Sequence, residues 1–328
     1  MGLKYAALLK IDIVDGNRIA TILNPWDTSK VFARYNIDSP VSNALVTTSL
    51  HSILIKNLGG LQNIGGLCDA DYIVDSTIQV NVRAKKIMNC GATMSPNKEM
   101  ILALRPDAVF ISPYEGADYS FYSESGFNVI LCVDYLEPTP LGQAEWMRFY
   151  GMLIGREKEA DSIFSIVERN YLSLCDSVRN VSHRPKMIAE LLTGQVWYTP
   201  TGQSTTGTIY HDAGADYIFS DISADKAVMP LSFEQVFAKG NDADFWFFKY
   251  YSDDDFTYES LSADYELYAG FKAFKNRNIY ACNTKYVPYY DIVPFRPDLL
   301  LRDMVAILHP EILPEYQTRF FEQLRINN

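Results

Sequence analysis

Four aromatic segments and two glutamates are the parts of this 328-residue chain whose types and spacing could do chemistry. SPYEGADYSFY, GQVWYTPTGQS, KYYSDDDFTY and TKYVPYYDIVPFR each follow an apolar run that reads as a strand, and they carry Tyr114, Trp197, Tyr198, Tyr250, Tyr286 and Tyr290. Tyr and Trp offer broad faces with a polar tip at little cost in side-chain freedom, which suits a large, flat, partly polar ligand. Lys249, Lys285 and Arg296 lie in or beside these segments. They are the candidates to neutralise an anionic ligand, whose burial without a counter-charge is costly. The glutamates open EMILALRPDA and EQVFAKGNDA, where Glu99 and Glu234, Ala103 and Ala238, and Asp107 and Asp242 all stand 135 positions apart. A carboxylate in a first helical turn is favoured by the helix dipole by about 0.3–1 kcal/mol. Ser232 and Gln235 already form an S-x-x-Q capping box, so Glu234 is spare, and Glu99 lies off the Met100, Ile101, Leu104 face. Both carboxylates are expected to face solvent.

Other chemistry has little support. Cys68, Cys90, Cys132, Cys175 and Cys282 are scattered and include no C-x-x-C pair. Of four histidines, only His51 and His211 fall near strand ends, where an axial haem ligand would be needed. His211 sits inside a helical pattern and reads as structural. The run Asp253 to Asp255 lacks calcium-loop spacing, and no P-loop or G-x-S-x-G elbow is present. The 29 Lys and Arg against 40 Asp and Glu give a net charge of -11, which argues against nucleic acid as a partner. No metal or organic cofactor is expected.

The elements that must position these residues follow an α/β order. Residues 1–40 alternate apolar and polar around Asp15-Gly16-Asn17, predicting an N-terminal β-hairpin extension. Residues 41–139 read as an α/β lobe of parallel strands and crossover helices, with Ser95 as cap and Pro96 at the first position of the helix that carries Glu99. Residues 140–180 form a helical pattern up to ~60 Å long, with a bend expected between Gly151 and Gly155. Residues 181–328 restart the α/β rhythm and are expected to end in two helices. The fold class is therefore α/β, two Rossmann-like lobes linked by a single long α-helix. No apolar run is long enough to span a bilayer.

On these residues the chain resembles the substrate-binding proteins of ABC importers for iron-siderophores, haem and cobalamin. Glu99, Ala103, Leu104, Pro106 and Asp107 match the family's N-lobe stretch, and Ser232, Glu234, Gln235 and Val236 its C-lobe stretch. The resemblance runs from about Val41 to His309 and leaves the N-terminal hairpin outside. It implies a non-enzymatic monomer that captures a small metal chelate in the inter-lobe cleft, with Lys249, Arg296 and the aromatic residues as ligand contacts. It also implies that Glu99 and Glu234 dock on arginines of an ABC permease dimer in the inner membrane. Periplasmic localisation follows, with or without a lipid anchor, and with the export signal outside this sequence. The rival reading is a metal chelatase or nitrogenase-like enzyme on the same two-lobed layout, which the shortage of His and Cys disfavours.

Overall fold

The computed structural model describes residues 2–116, 118–223 and 227–326. The chain divides into two units. One comprises Met1–Glu137, Leu141–Ile166 and Tyr290–Phe295, and the other Pro138–Pro140, Val167–Tyr289 and Arg296–Asn328. Among the described residues no helix is long and apolar enough to cross a membrane.

In the first unit, short apolar runs build a parallel five-stranded sheet in the order Val129–Leu131, Ala108–Ile111, Ala44–Val46, Ile64–Leu67, Met88–Asn89. Ala108–Ile111 is buried along its whole length, as a parallel strand covered on both faces requires. The helix Lys98–Leu104 packs on this sheet so closely that a Cβ at Gly66 would lie 2.5 Å from the Leu104 side chain. Its cap differs from the expected one: Asn97 accepts the Met100 amide, while Ser95–Pro96 pairs with Gly91–Ala92 as a small antiparallel ribbon. Asn is as good a cap as Ser, and the ribbon takes Ser95 away from the helix start.

The N-terminal extension has one strand more than the predicted hairpin: Leu9–Val14, Asn17–Asn24 and Asp27–Asn36 form an antiparallel meander. Two buried carboxylates hold the segment before it. Glu145 accepts the amides of Lys4, Tyr5 and Ala6, and Glu137 accepts those of Ala7 and Leu8 together with the Trp146 indole N–H.

The long helix is present as the 22-residue Glu157–Val178, within which the chain passes from the first unit to the second. A separate helix, Pro140–Leu153, precedes it, and the break falls at the glycines. Gly155 adopts φ +69°, and a Cβ at Gly151 would lie 2.4 Å from that of Ala160. Only a glycine fits both the turn and the close approach.

In the second unit, Asp216–Tyr217, Lys186–Ala189, Phe245–Tyr250 and Ile279–Asn283 are parallel neighbours in that order, with Glu322–Gln323 antiparallel at the edge. A second, antiparallel sheet joins Leu192–Thr193, Val196–Pro200 and Val228–Leu231. Of the two closing helices expected, only Pro297–Leu308 forms. Pro310 and Pro314 interrupt the next stretch, and Asp303 draws in the amides of Arg319 and Phe320, so the chain returns to the sheet as an edge strand.

Candidate functional site

Parallel strands end together, so the loops after their carboxyl ends gather on one edge of each sheet. In the first unit, Ile64–Leu67 leads to Tyr72, Ala108–Ile111 to Tyr114, and Val129–Leu131 to Tyr135. In the second, Lys186–Ala189 leads through a hairpin to Tyr198, Phe245–Tyr250 to Tyr251, and Ile279–Asn283 to Tyr286 and, back in the first unit, Tyr290. These seven are the exposed tyrosines among the described residues. Every one of them follows the carboxyl end of a parallel strand. Tyr114, Tyr198, Tyr286 and Tyr290 were expected here; Tyr72, Tyr135 and Tyr251 were not, although each stands within a few residues of a legible strand end.

Tyr250 and Tyr286 meet in the second unit at a pocket of about 190 Å3, lined also by Asp255, Asn283, Arg319 and Arg325. The Tyr250 hydroxyl donates to Asp255 Oδ1 at 3.3 Å and accepts the Phe256 amide at 3.3 Å. Burial holds its phenol above the ordinary pKa, so it remains a donor. The pocket is smaller than the 300–1,000 Å3 of a whole-ligand site, a size suited to one substituent of a larger molecule. Arg319 and Arg325 were missed because the segment carrying them reads as helix.

Trp197 is a correction. Its ring is fully buried, stacked at 5.7 Å on Trp246, and its indole N–H donates to the Ala189 carbonyl at 2.8 Å. It sits on the inward side of an alternating strand, whose outward side carries Tyr198. It presents no face to a ligand.

The expected cations are already matched. Lys249 is paired with Glu190 and stands 5.2 Å over the Tyr289 ring. Arg296 grips the buried Asp298 through two bonds of 2.8 and 2.9 Å, and Lys285 is paired with Asp253. The two histidines weighed as axial ligands differ. His51 is buried, with Nδ1 2.6 Å from Thr48 Oγ1 and Nε2 2.9 Å from Asp134 Oδ1, so both ring nitrogens are engaged. His211 is exposed in the last turn of Thr205–Asp212.

Glu99 and Glu234 are both exposed, each in the first turn of its helix. The capping box read from the sequence is present: Ser232 accepts the Gln235 amide at 3.3 Å, and Gln235 accepts the Ser232 amide at 2.8 Å. The Ser232 hydroxyl and the helix-start amide hold the Glu234 carboxyl below its ordinary range, so it stays charged.

The family model for periplasmic binding proteins matches residues 54–286. The chain belongs to the periplasmic binding protein family. Among its relatives, an uncharacterized lipoprotein of Methanocaldococcus jannaschii is 28% identical, the alignment taking in 99% of this chain and 86% of that protein. Among solved structures, the ABC-type Fe3+-hydroxamate transport protein of Saccharomonospora viridis superposes with a TM-score of 0.67 at 17% identity, over 88% of this chain and 98% of that one. The vitamin B12-binding protein BtuF of Vibrio cholerae superposes with a TM-score of 0.58 at 14% identity, over 84% and 99%. These likenesses establish that the binding-protein fold is shared.

Proposed function

We propose that this periplasmic binding protein is the substrate-binding component of an ABC importer, capturing a metal chelate and delivering it to a membrane permease. The chelate classes are iron-siderophore, haem and cobalamin. The observation that carries the reading is that the seven exposed tyrosines among the described residues lie in segments that follow, along the chain, the carboxyl ends of parallel strands. Exposed aromatic side chains at the strand ends of each unit suit broad, partly polar complexes. The structural neighbours named for Fe3+-hydroxamate transport and vitamin B12 binding support the same class. The lipoprotein relative supports an extracytoplasmic, lipid-anchored setting.

Permease docking is assigned to Glu99 and Glu234. Exposed ion pairs contribute on the order of 0–1 kcal/mol each, so their part is to set orientation.

Absorbance titration with cyanocobalamin, haemin and a panel of ferric siderophores tests capture. One chelate should bind, and Tyr114→Ala and Tyr286→Ala should each weaken it by about tenfold, or ~1.4 kcal/mol. Binding of none, or turnover of any, overturns the reading. For docking, the double variant Glu99→Arg, Glu234→Arg should bind the chelate normally and fail to support uptake into vesicles containing the permease; undiminished uptake would remove both residues from that role.

A further inference from the structure

We infer that Cys68 and Cys90 are partners in a disulfide that closes when the protein meets a disulfide oxidant. The inference concerns only the first unit's sheet and stands apart from the capture reading above. Cys68 follows Ile64–Leu67 and Cys90 follows Met88–Asn89, neighbouring parallel strands in which Leu67 stands opposite Asn89. Two backbone bonds bracket the pair: the Cys90 amide donates to the Leu67 carbonyl at 2.7 Å, and the Asp69 amide to the Gly91 carbonyl at 2.8 Å. The cysteines are therefore one strand spacing apart, about 4.7–4.9 Å, inside the roughly 4.4–6.8 Å between Cα atoms that a disulfide requires. Their side chains share a face. A Cβ at Gly66 would lie 3.0 Å from Cys90 Sγ, and residues two apart in a strand point the same way. The Cys68 amide still donates to the Val46 carbonyl, at 3.1 Å, so the alternation of the strand continues through it. Both cysteines are fully buried in one cluster with Leu45, Ile101 and Tyr122.

Closure removes two thiol protons and two electrons and forms one S–S bond. One cysteine, as thiolate, attacks a sulfur of the oxidant's disulfide and expels a thiolate; the second attacks the mixed disulfide so formed and expels the other, and the two cysteine protons end on the two departing thiols. Burial pushes the Cys68 thiol up to about 12 and the Cys90 thiol up to about 11. The thiolate is the attacking form, so exchange belongs to the folding chain, or to the sheet edge when it opens. Topology sets the choice of partner. Cys132, in the same unit, follows Val129–Leu131, three strand spacings across the sheet and about 14 Å away. The bond holds a two-residue edge strand, Met88–Asn89, and the ribbon of Gly91–Ala92 and Ser95–Pro96 that follows it. It also makes residues 68–90 a closed loop, which removes freedom from the unfolded chain.

The test incubates the full chain with oxidised glutathione in urea below the unfolding midpoint, alkylates remaining thiols in denaturant and maps the peptides by mass spectrometry. Cys68 and Cys90 should be recovered joined to each other. Relative to the dithiothreitol-reduced protein, the oxidised form should exchange the Asp69 and Cys90 amides at least about tenfold more slowly and melt several degrees higher. Cys68→Ala should remove the joined peptide and both differences. Cys175→Ser, which alters a half-buried cysteine outside the pair, should keep all three and so reads the bond even where the first variant fails to fold. Recovery of Cys68 and Cys90 as free thiols, or of either joined only to glutathione or to another cysteine, would overturn the inference.

Discussion

Glu137 shows how a single carboxylate can support a segment and still weaken it as pH rises. It receives three N–H donors, yet burial outweighs them and raises its pKa above the ordinary glutamate value. Between the unfolded and the folded pKa the native state holds more protons than the unfolded chain. Stability therefore falls with rising pH through that window, and the contribution is fully present only below the unfolded pKa. Glu137→Gln should flatten this slope in urea unfolding measured from pH 4 to 8, at an absolute cost of about 1–3 kcal/mol for one mispaired amide. A slope unchanged from that of the parent would mean that another group carries it. The fully buried His51 and Trp197 make a related point: a residue type suited to a ligand can be consumed by the core instead. Sequence pattern alone did not separate Trp197 from Tyr198, its outward neighbour on the same strand.

At the level of elements, signals written in local chemistry were legible and those set by distant partners were not. The Ser232 and Gln235 box and the interruption between Gly151 and Gly155 each depend on residues within a turn of one another. The third N-terminal strand needs its long-range partner Asn17–Asn24, and the edge strand Glu322–Gln323 needs both Asp303 and Ile279–Asn283. Phe320 and Phe321 therefore read as a helical face when they are in fact packed around Tyr289 at ring distances of 5.6 and 6.1 Å. The second unit's aromatic interior yields a direct expectation. Trp197→Ala should cost roughly 3–5 kcal/mol in chemical denaturation, whereas Tyr198→Ala, half exposed on the same strand, should cost under about 0.5 kcal/mol. Equal costs would contradict the assignment of Trp197 to the core.

For the whole molecule, the α/β class, the long helix and the family membership could all be read from strand-helix rhythm and two acidic helix starts. The pairing state of the strand-end cations could not, because Glu190, Asp253 and Asp298 meet Lys249, Lys285 and Arg296 only after folding. The same is true of the carboxylates that gather backbone amides. Glu145 and Glu137 secure residues 4–8 of the first unit, and Asp303 secures residues 319–321 of the second. Stretches outside regular helices and strands ordinarily exchange their amide hydrogens quickly. Here both stretches should exchange on the slow timescale of the sheets they border, and Glu145→Ala should release the first without touching the second, so that each unit carries its own latch, readable one deuteron at a time.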